Sequence, residues 1–223
     1  MTAPPPLIYR PPTRAALSIA HLDEDVIVID KPAGLLSVPG KTGDLSDCAE
    51  ARVRAAFPEA LLVHRLDMST SGLLLFARNR RAQRIISGQF EKRIIEKEYL
   101  AEIWGAPAEG SGLISLPLRA DWPNRPRQMV CHEHGRAALT EWEVVARRGA
   151  ATTLRLRPRT GRSHQLRVHM AAMGWPILGD PLYAAEEALA AAPALALKAV
   201  GLAWRSPADG EWVRVALEGA QGL

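Results

Sequence analysis

The sequence predicts an α+β protein built on a mixed or antiparallel sheet. Three observations carry that prediction. Short apolar or alternating runs that read as strands recur along the whole chain. These runs adjoin one another as often as they adjoin helical patterns, unlike the strict alternation of a parallel α/β sheet. The 223 residues, 48% of them hydrophobic and 23% charged, are enough to bury a real core and are ordinary for a soluble globular protein.

In chain order, "MTAPPPLIYRPPTR" carries Pro4, Pro5, Pro6, Pro11 and Pro12, so residues 1–20 read as an extended arm rather than a helix or strand. Residues 21–218 read as one domain without repeats or linkers. "DVIVIDKPAGLL" begins as a strand and ends in a Pro-Ala-Gly turn. "SDCAEARVRAAF" places Val53, Ala56 and Phe57 at helical spacing, with Ser46 or Asp47 available as the cap. "ALLVHRLDMSTSGLLLFA" reads as strand, polar turn, strand. "NRRAQRIISGQFEKR" is a helix capped by Asn79. "EKEYLAEIWG", "TEWEVV", "TTLRLRP" and "EWVRVAL" are further strands. "RSHQLRVHMAAMG" is a helix with Leu166, Met170 and Met173 on one face, Ser163 as its cap, and Gly174 with Pro176 to stop it.

Several classes are set aside by what the sequence lacks. Two cysteines, Cys48 and Cys131, make no disulfide framework, so a reducing compartment is expected. No apolar run approaches the length of a membrane helix and no signal-peptide core is visible, so the expected location is cytoplasmic, with no membrane partner. No phosphate-binding glycine loop and no G-x-S-x-G elbow occurs. "CHEH", from Cys131 to His134, has no second ligand pair at zinc spacing, and His164 and His169 are five apart rather than four. No metal or cofactor is expected, and "CHEH" reads as an exposed polar hairpin.

The charge pattern points to a polyanion. Of 28 basic residues only five are lysines, and the rest are arginines. GC-rich coding alone produces such a bias, so the distribution carries more weight. No acid falls between Glu143 and Asp180, while Arg147, Arg148, Arg155, Arg157, Arg159, Arg162 and Arg167 all do. Arg159 and Arg162 flank a helix N-terminus, where a cation opposes the helix dipole unless an anion arrives. Arg80, Arg81 and Arg84 repeat the mismatch more weakly. A solvated surface helix is the plain alternative in both places.

"VHRLDMSTSGLLLFA" poses a sharper question. Asp67 stands at the mouth of two apolar strands, where an ionised carboxylate is costly unless paired, and Arg65 is the nearest candidate partner. "EDVIVIDKPAGLLSVPG", "HRLDMSTSGLLLFA", "KEYLAEIWG" and "GRSHQLRVHMAAMGWPILGDPLY" together resemble, in order and spacing over about residues 22–217, the RluA family of pseudouridine synthases. The resemblance implies the pseudouridine synthase fold, a mixed, mostly antiparallel central sheet with flanking helices and loops. It also implies residues 21–218 as the catalytic domain, and Asp67 as the nucleophile that detaches uracil and lets it rejoin its ribose through C5. That isomerisation needs no metal, redox centre or external energy. The resemblance also implies that Arg167 pairs with Asp67 and keeps it charged. Tyr99 would contact the uracil ring or take the C5 proton, and Arg65 would help extrude the uridine. Asp67 would attack either the base or the sugar.

Two departures from the family pattern stand out. Many members carry an S4-type RNA-binding domain ahead of the core, whereas the Pro-rich arm leaves RNA binding to the core itself. Where members often have Leu-His-Ala, this chain has Leu197-Lys198-Ala199. Segment 116–145 most resembles the RluA type itself, whose members modify both large-subunit (23S) ribosomal RNA and tRNA anticodon arms. Trp122, Arg125 and Arg127, spaced by Pro123 and Pro126, would offer flat faces to unstacked bases, and Arg155, Arg157, Arg159 and Arg162 would hold phosphates. The expected partner is therefore RNA, in stem-loops of 23S rRNA and tRNA, with the chain acting as a monomer without an obligatory protein partner. Two rivals are a catalytically inactive basic RNA-binding module, for which an intact Asp67, Tyr99 and Arg167 set has no use, and a small-molecule hydrolase, which leaves the acid-free arginine stretch unexplained.

Overall fold

The computed structural model describes residues 9–13 and 18–218. In chain order it contains β1 (Ile19–Leu22), β2 (Val26–Lys31), α1 (Ala49–Ala56), β3 (Leu61–Leu62), β4 (Ser71–Ala77), α2 (Arg80–Glu91), β5 (Glu96–Trp104), β6 (Ser111–Ser115), β7 (Leu118–Ala120), β8 (Gln128–Val130), β9 (Leu139–Arg148), β10 (Ala151–Pro158), α3 (Gln165–Ala172), α4 (Glu186–Ala190), β11 (Leu197–Arg205) and β12 (Trp212–Ala216). This is the mixed α+β architecture expected from the sequence. The arm assigned to residues 1–20 lies largely outside the described residues. Its Tyr9–Thr13 portion is neither helix nor strand and is held down, with Tyr9 donating through its hydroxyl to the Asp47 carbonyl at 2.6 Å and the Pro12 carbonyl accepting from Arg52 at 2.7 Å. Its last two residues, Ile19 and Ala20, depart from the expectation and open β1, which pairs with β2.

The chain forms two compact units, one of Tyr9–Glu98 with the residues from Lys198 on, the other of Tyr99–Leu197. In the first, β2 pairs antiparallel with β1 and β4, β3 adds to the far end of β4, and β12 pairs with β11. β4 and β11 run parallel, with Lys198 opposite Ser71 and Ala199 opposite Gly72. Val26, Val28, Leu73, Leu75, Ile86, Leu202 and Trp204 are buried together between this sheet and its cover, which includes α2. In the second unit β5, β10, β9 and β6 pair antiparallel in that order, and β7 and β8 form a separate hairpin. Ala101, Ile103, Leu154, Leu156, Leu166 and Met170 pack here between the strands and α3.

Caps and ends show where local chemistry overruled the expectation. Asn79 caps α2 as expected, accepting from Ala82 N at 2.8 Å. α1, however, is capped by Cys48, whose sulfur accepts from Ala51 N at 3.4 Å. Asp47 lies one position before that cap, and its two carboxylate oxygens accept from Arg52 at 2.8 Å. Arg52 and Val53 are buried on α1, while Ala56 is exposed. At α3 the cap is His164 rather than Ser163, in the left-handed region at φ 54°. Gly174, at φ 80°, ends the helix as expected, but Met173 lies past the buried face and is 40% exposed. Strands β1, β6, β7, β8 and β11 have no counterpart in the sequence reading. β11 is buried over Leu197 and Ala199–Trp204 without alternation, a pattern shared by buried strands and helices.

Gly72 sits where β4 meets β11. It has φ 106°, and a Cβ there would stand 2.0 Å from the Ala199 carbonyl oxygen. Glycine is thus required twice, by backbone conformation and by close approach of a neighbouring strand. Gly72→Ala is expected to destabilise the protein by about 3 kcal/mol or more, read as a lowered urea midpoint. A midpoint unchanged from the parent would contradict the close strand contact.

Candidate active site

Each unit holds its own set of charged groups on buried elements. In the first, β3 runs into an irregular segment, residues 63–70, that returns as β4. Asp67 sits at its centre, half-buried, and its carbonyl accepts from Thr70 N at 3.1 Å to close the turn. The backbone is fastened on both sides of Asp67. On one side Ser37 Oγ donates to the Leu66 carbonyl at 2.7 Å and accepts from Leu66 N at 3.1 Å. On the other, the Met68 carbonyl accepts from Gly34 N at 2.9 Å and from the Lys31 ammonium at 3.2 Å.

Lys31 is a residue that sequence reasoning missed. It ends β2 with no solvent exposure, and its ammonium also donates to the carbonyls of Leu35 at 2.7 Å and Pro32 at 3.0 Å. Burial lowers its pKa to about 8, and the Asp67 carboxylate opposes that shift. Within this unit, then, Lys31 is a cation that acts on Asp67 electrostatically, while Arg65, the candidate partner by sequence proximity, is exposed. A lysine closing the apolar run "VIVID" was the available signal. His64 has a structural role: its Nε2 accepts from Leu75 N at 3.0 Å, and its ring stacks on Phe90 at 4.6 Å. Burial pulls its pKa to about 3, so the ring is neutral. Lys198, which stands in the Leu197-Lys198-Ala199 departure noted above, pairs with Asp30 at 2.9 Å.

In the second unit the motif "GRSHQLRVH" divides its labour. The Gln165 side chain closes the turn before α3. Its Oε1 accepts from Thr160 Oγ1 at 2.7 Å and from Arg162 N at 3.0 Å, and its Nε2 donates to the Leu139 carbonyl at 2.9 Å. His169 is buried between Thr140 Oγ1 at 2.9 Å and the Leu116 carbonyl at 3.1 Å, and burial lowers its pKa. Arg167, 3% exposed, donates from Nε and Nη2 to the two oxygens of fully buried Asp180 at 2.8 and 2.7 Å. Asp180 also accepts from Leu182 N and Tyr183 N at 2.9 and 3.3 Å, so the guanidinium is oriented by a carboxylate that is itself fixed. Tyr99 lies half-buried on β5 opposite Leu156, against the core.

The expected RNA-facing arginines fall into two sets. Arg155 and Arg157 lie near Glu143, with ion-pair distances of 3.7 and 3.5 Å, and Arg159 makes a two-pronged pair with Glu141 at 2.8 Å. The stretch that lacks acids in sequence therefore meets them in space, because antiparallel β9 brings Glu141 and Glu143 opposite Arg157 and Arg155. Arg162 donates to the Ala137 carbonyl at 3.2 Å, and its own N–H at the α3 N-terminus is taken by Gln165. Arg81, whose place at the start of α2 suggested an anion, binds Asp25 at 3.0 Å and the Pro207 carbonyl at 2.8 Å. The β7–β8 loop is different. Trp122 is 64% exposed with the Arg125 guanidinium 4.0 Å above its ring, and Arg127 lies over Tyr183 at 5.3 Å. Residues 132–134 form an exposed turn closed by Gly135 N to the Cys131 carbonyl at 2.8 Å.

Lys31 makes stability depend on pH in a definite direction. Below pH 8 it is charged in both the folded and unfolded states, and the cost of burying that charge is borne in full. Between pH 8 and its ordinary value of 10.5 the folded protein sheds the proton first, so this residue's contribution to stability rises with pH, by up to about 3 kcal/mol. Urea unfolding at a series of pH values should show that rise in the parent and lose it in Lys31→Met. Parallel profiles for the two proteins would contradict the buried charge.

Residues 25–172 match the family model described as RNA pseudouridylate synthase. The chain is 48% identical over 204 residues to the dual-specificity RNA pseudouridine synthase RluA of Escherichia coli O157:H7, covering 91% of this chain and 93% of that protein. It is 50% identical over 206 residues to the protein of the same name from Pasteurella multocida, covering 92% and 94%. Among solved structures it resembles human RNA pseudouridylate synthase domain containing 1, at 30% identity and TM-score 0.76, over 93% of this chain and 85% of that one. With half its residues shared with such relatives over nearly its whole length, the chain belongs to the RNA pseudouridine synthases, isomerases that act on RNA.

Proposed function

We propose that this chain converts uridine to pseudouridine in structured RNA stem-loops, with Asp67 as nucleophile. The observation that carries the reading is the double fastening of the Asp67 loop, at Leu66 by Ser37 and at Met68 by Gly34 and Lys31. A general surface carboxylate needs no such support, whereas a nucleophile gains from a fixed backbone and a nearby cation. In the reaction the bond between C1′ and N1 of the uracil breaks, a bond between C1′ and C5 forms, and the C5 proton is lost while N1 gains one. Substrate and product are isomers, so no electrons are exchanged with a third party. Arg167 supplies the positive charge that keeps Asp67 ionised, Tyr99 contacts the ring or takes the C5 proton, and Arg65 helps extrude the uridine. Replacing Asp67 with Asn keeps size and polarity but removes the nucleophilic charge. Tritium release from C5-labelled uridine RNA is expected to fall by at least about 10⁴-fold with RNA binding retained, and activity within tenfold of the parent would overturn the assignment.

The proposed substrates are loops of two RNA classes, 23S rRNA and the tRNA anticodon arm, bound by a monomer in the cytoplasm without an obligatory protein partner. Support for breadth comes from the β7–β8 loop. Its exposed Trp122 stacked under Arg125 offers an aromatic and a guanidinium plane, surfaces that take unstacked bases with little regard to identity. Arg155, Arg157, Arg159 and Arg162 would add phosphate contacts. No helix among the described residues is long and apolar enough to cross a membrane. The purified protein should modify a short stem-loop from each class, and Trp122→Ala should weaken both by about tenfold or more, given a stacking contribution of about 1–3 kcal/mol per base. Modification of one class alone, by mass mapping of matched stem-loops, would refute the dual substrate and leave the synthase reading standing.

A further inference from the structure

Tyr183 follows the "GDP" turn on a segment with no regular structure, yet five features converge on it. Its hydroxyl accepts from Gln128 N at 2.8 Å, at the point where the β7–β8 loop returns to β8. The same hydroxyl lies 2.6 Å from Nδ1 of His164, the left-handed cap of α3. Its ring lies beneath the Arg127 guanidinium at 5.3 Å and beneath that of Arg167 at 5.1 Å. Its own N–H reaches Asp180, the carboxylate that holds Arg167. The ring packs beside Leu118 and Val130 of the hairpin and Val168 of α3.

We infer that Tyr183 is a positioning residue that couples occupancy of the β7–β8 loop by RNA to the orientation of Arg167. The inference rests on the proposed reading of that loop as an RNA contact. A loop of two short strands, three residues each, has little stability of its own. The bond from Gln128 to the Tyr183 hydroxyl ties its return limb to the segment that also carries Asp180. Arg127 in the loop and Arg167 on α3 share one aromatic ring, and each interacts with its π-face. When RNA phosphate draws Arg127 away from the ring, the environment of Arg167 changes with it. Tyr183 thus touches both the substrate-facing loop and the pair that fixes Arg167, without having to touch substrate itself.

The test uses the full chain and the tRNA stem-loop, first confirming that the parent converts it, since failure there overturns the function rather than the coupling. Tyr183→Phe keeps the ring and removes the hydroxyl. KM is expected to rise about tenfold with kcat within about threefold of the parent. In the free protein, amide exchange at Gln128 should lose protection. The decisive measurement is the cycle with Trp122→Ala. If Tyr183 acts through the loop, the double variant binds no worse than Trp122→Ala alone, whereas additive losses overturn the inference. So does an unchanged KM in either single variant, unchanged exchange at Gln128, or a loss of kcat that merely follows a lowered melting temperature. Should Tyr183→Phe fold poorly, Gln128→Pro removes the same bond from its other end and must show the same rise in KM for the inference to stand.

Discussion

An ammonium group without solvent exposure is the constraint around which the first unit is arranged. Lys31 satisfies its three donors with the carbonyls of Pro32, Leu35 and Met68, which fixes the turn after β2 and the segment around Asp67 in one step. Burying the charge is costly, as its lowered pKa shows, and carbonyl dipoles together with a nearby carboxylate offset that cost. Removing any one of them would leave a buried charge under-solvated, so the geometry is strongly specified. The Asp67 segment has no regular hydrogen bonding of its own, and its shape comes from this lysine, Ser37 and the neutral His64 ring pinned on Leu75.

The second unit solves the same problem with opposite signs. Asp180 has no exposure and Arg167 almost none, and their two parallel bonds satisfy the carboxylate together with two backbone N–H groups. A bidentate pair restricts the guanidinium in rotation as well as in place, which a lysine could not do. Around it, Gln165 and His169 consume their polar atoms entirely within the fold. Of the long polar motif on α3, most residues thus shape the backbone so that one, Arg167, is held ready.

What was legible in the sequence follows from this division. Period and punctuation gave β2, β4, β5, β9, β10 and the α2 cap, because those signals are local. Asp67, Tyr99 and Arg167 were named through resemblance, and the charge of Asp67 in an apolar context had already singled it out. Lys31, Asp180 and Tyr183 were not, because their importance comes from partners distant along the chain, such as Met68 for Lys31 and Gln128 for Tyr183. Caps failed for a related reason. Ser46 and Asp47 precede α1 plausibly, but Asp47 is engaged by Arg52, and a cysteine takes the role that local preference would give to an oxygen.

The arginine-rich stretch illustrates why charge counted along a chain differs from charge felt by a ligand. Strand β10 carries Arg155 and Arg157 on one face, and the neighbouring β9 answers with Glu141 and Glu143. Cross-strand pairing of opposite charges stabilises a sheet face by a few tenths of a kcal/mol per pair and leaves its net potential small. Phosphates approaching such a face must compete with carboxylates already 2.8–3.7 Å from the guanidinium groups. In the β7–β8 loop, by contrast, Arg125 and Arg127 stack on Trp122 and Tyr183. An aromatic face orients a guanidinium without neutralising it, so its charge stays available to a polyanion. The strongest attraction for RNA is therefore expected from a loop with only two arginines rather than from the sheet face that carries Arg155 and Arg157.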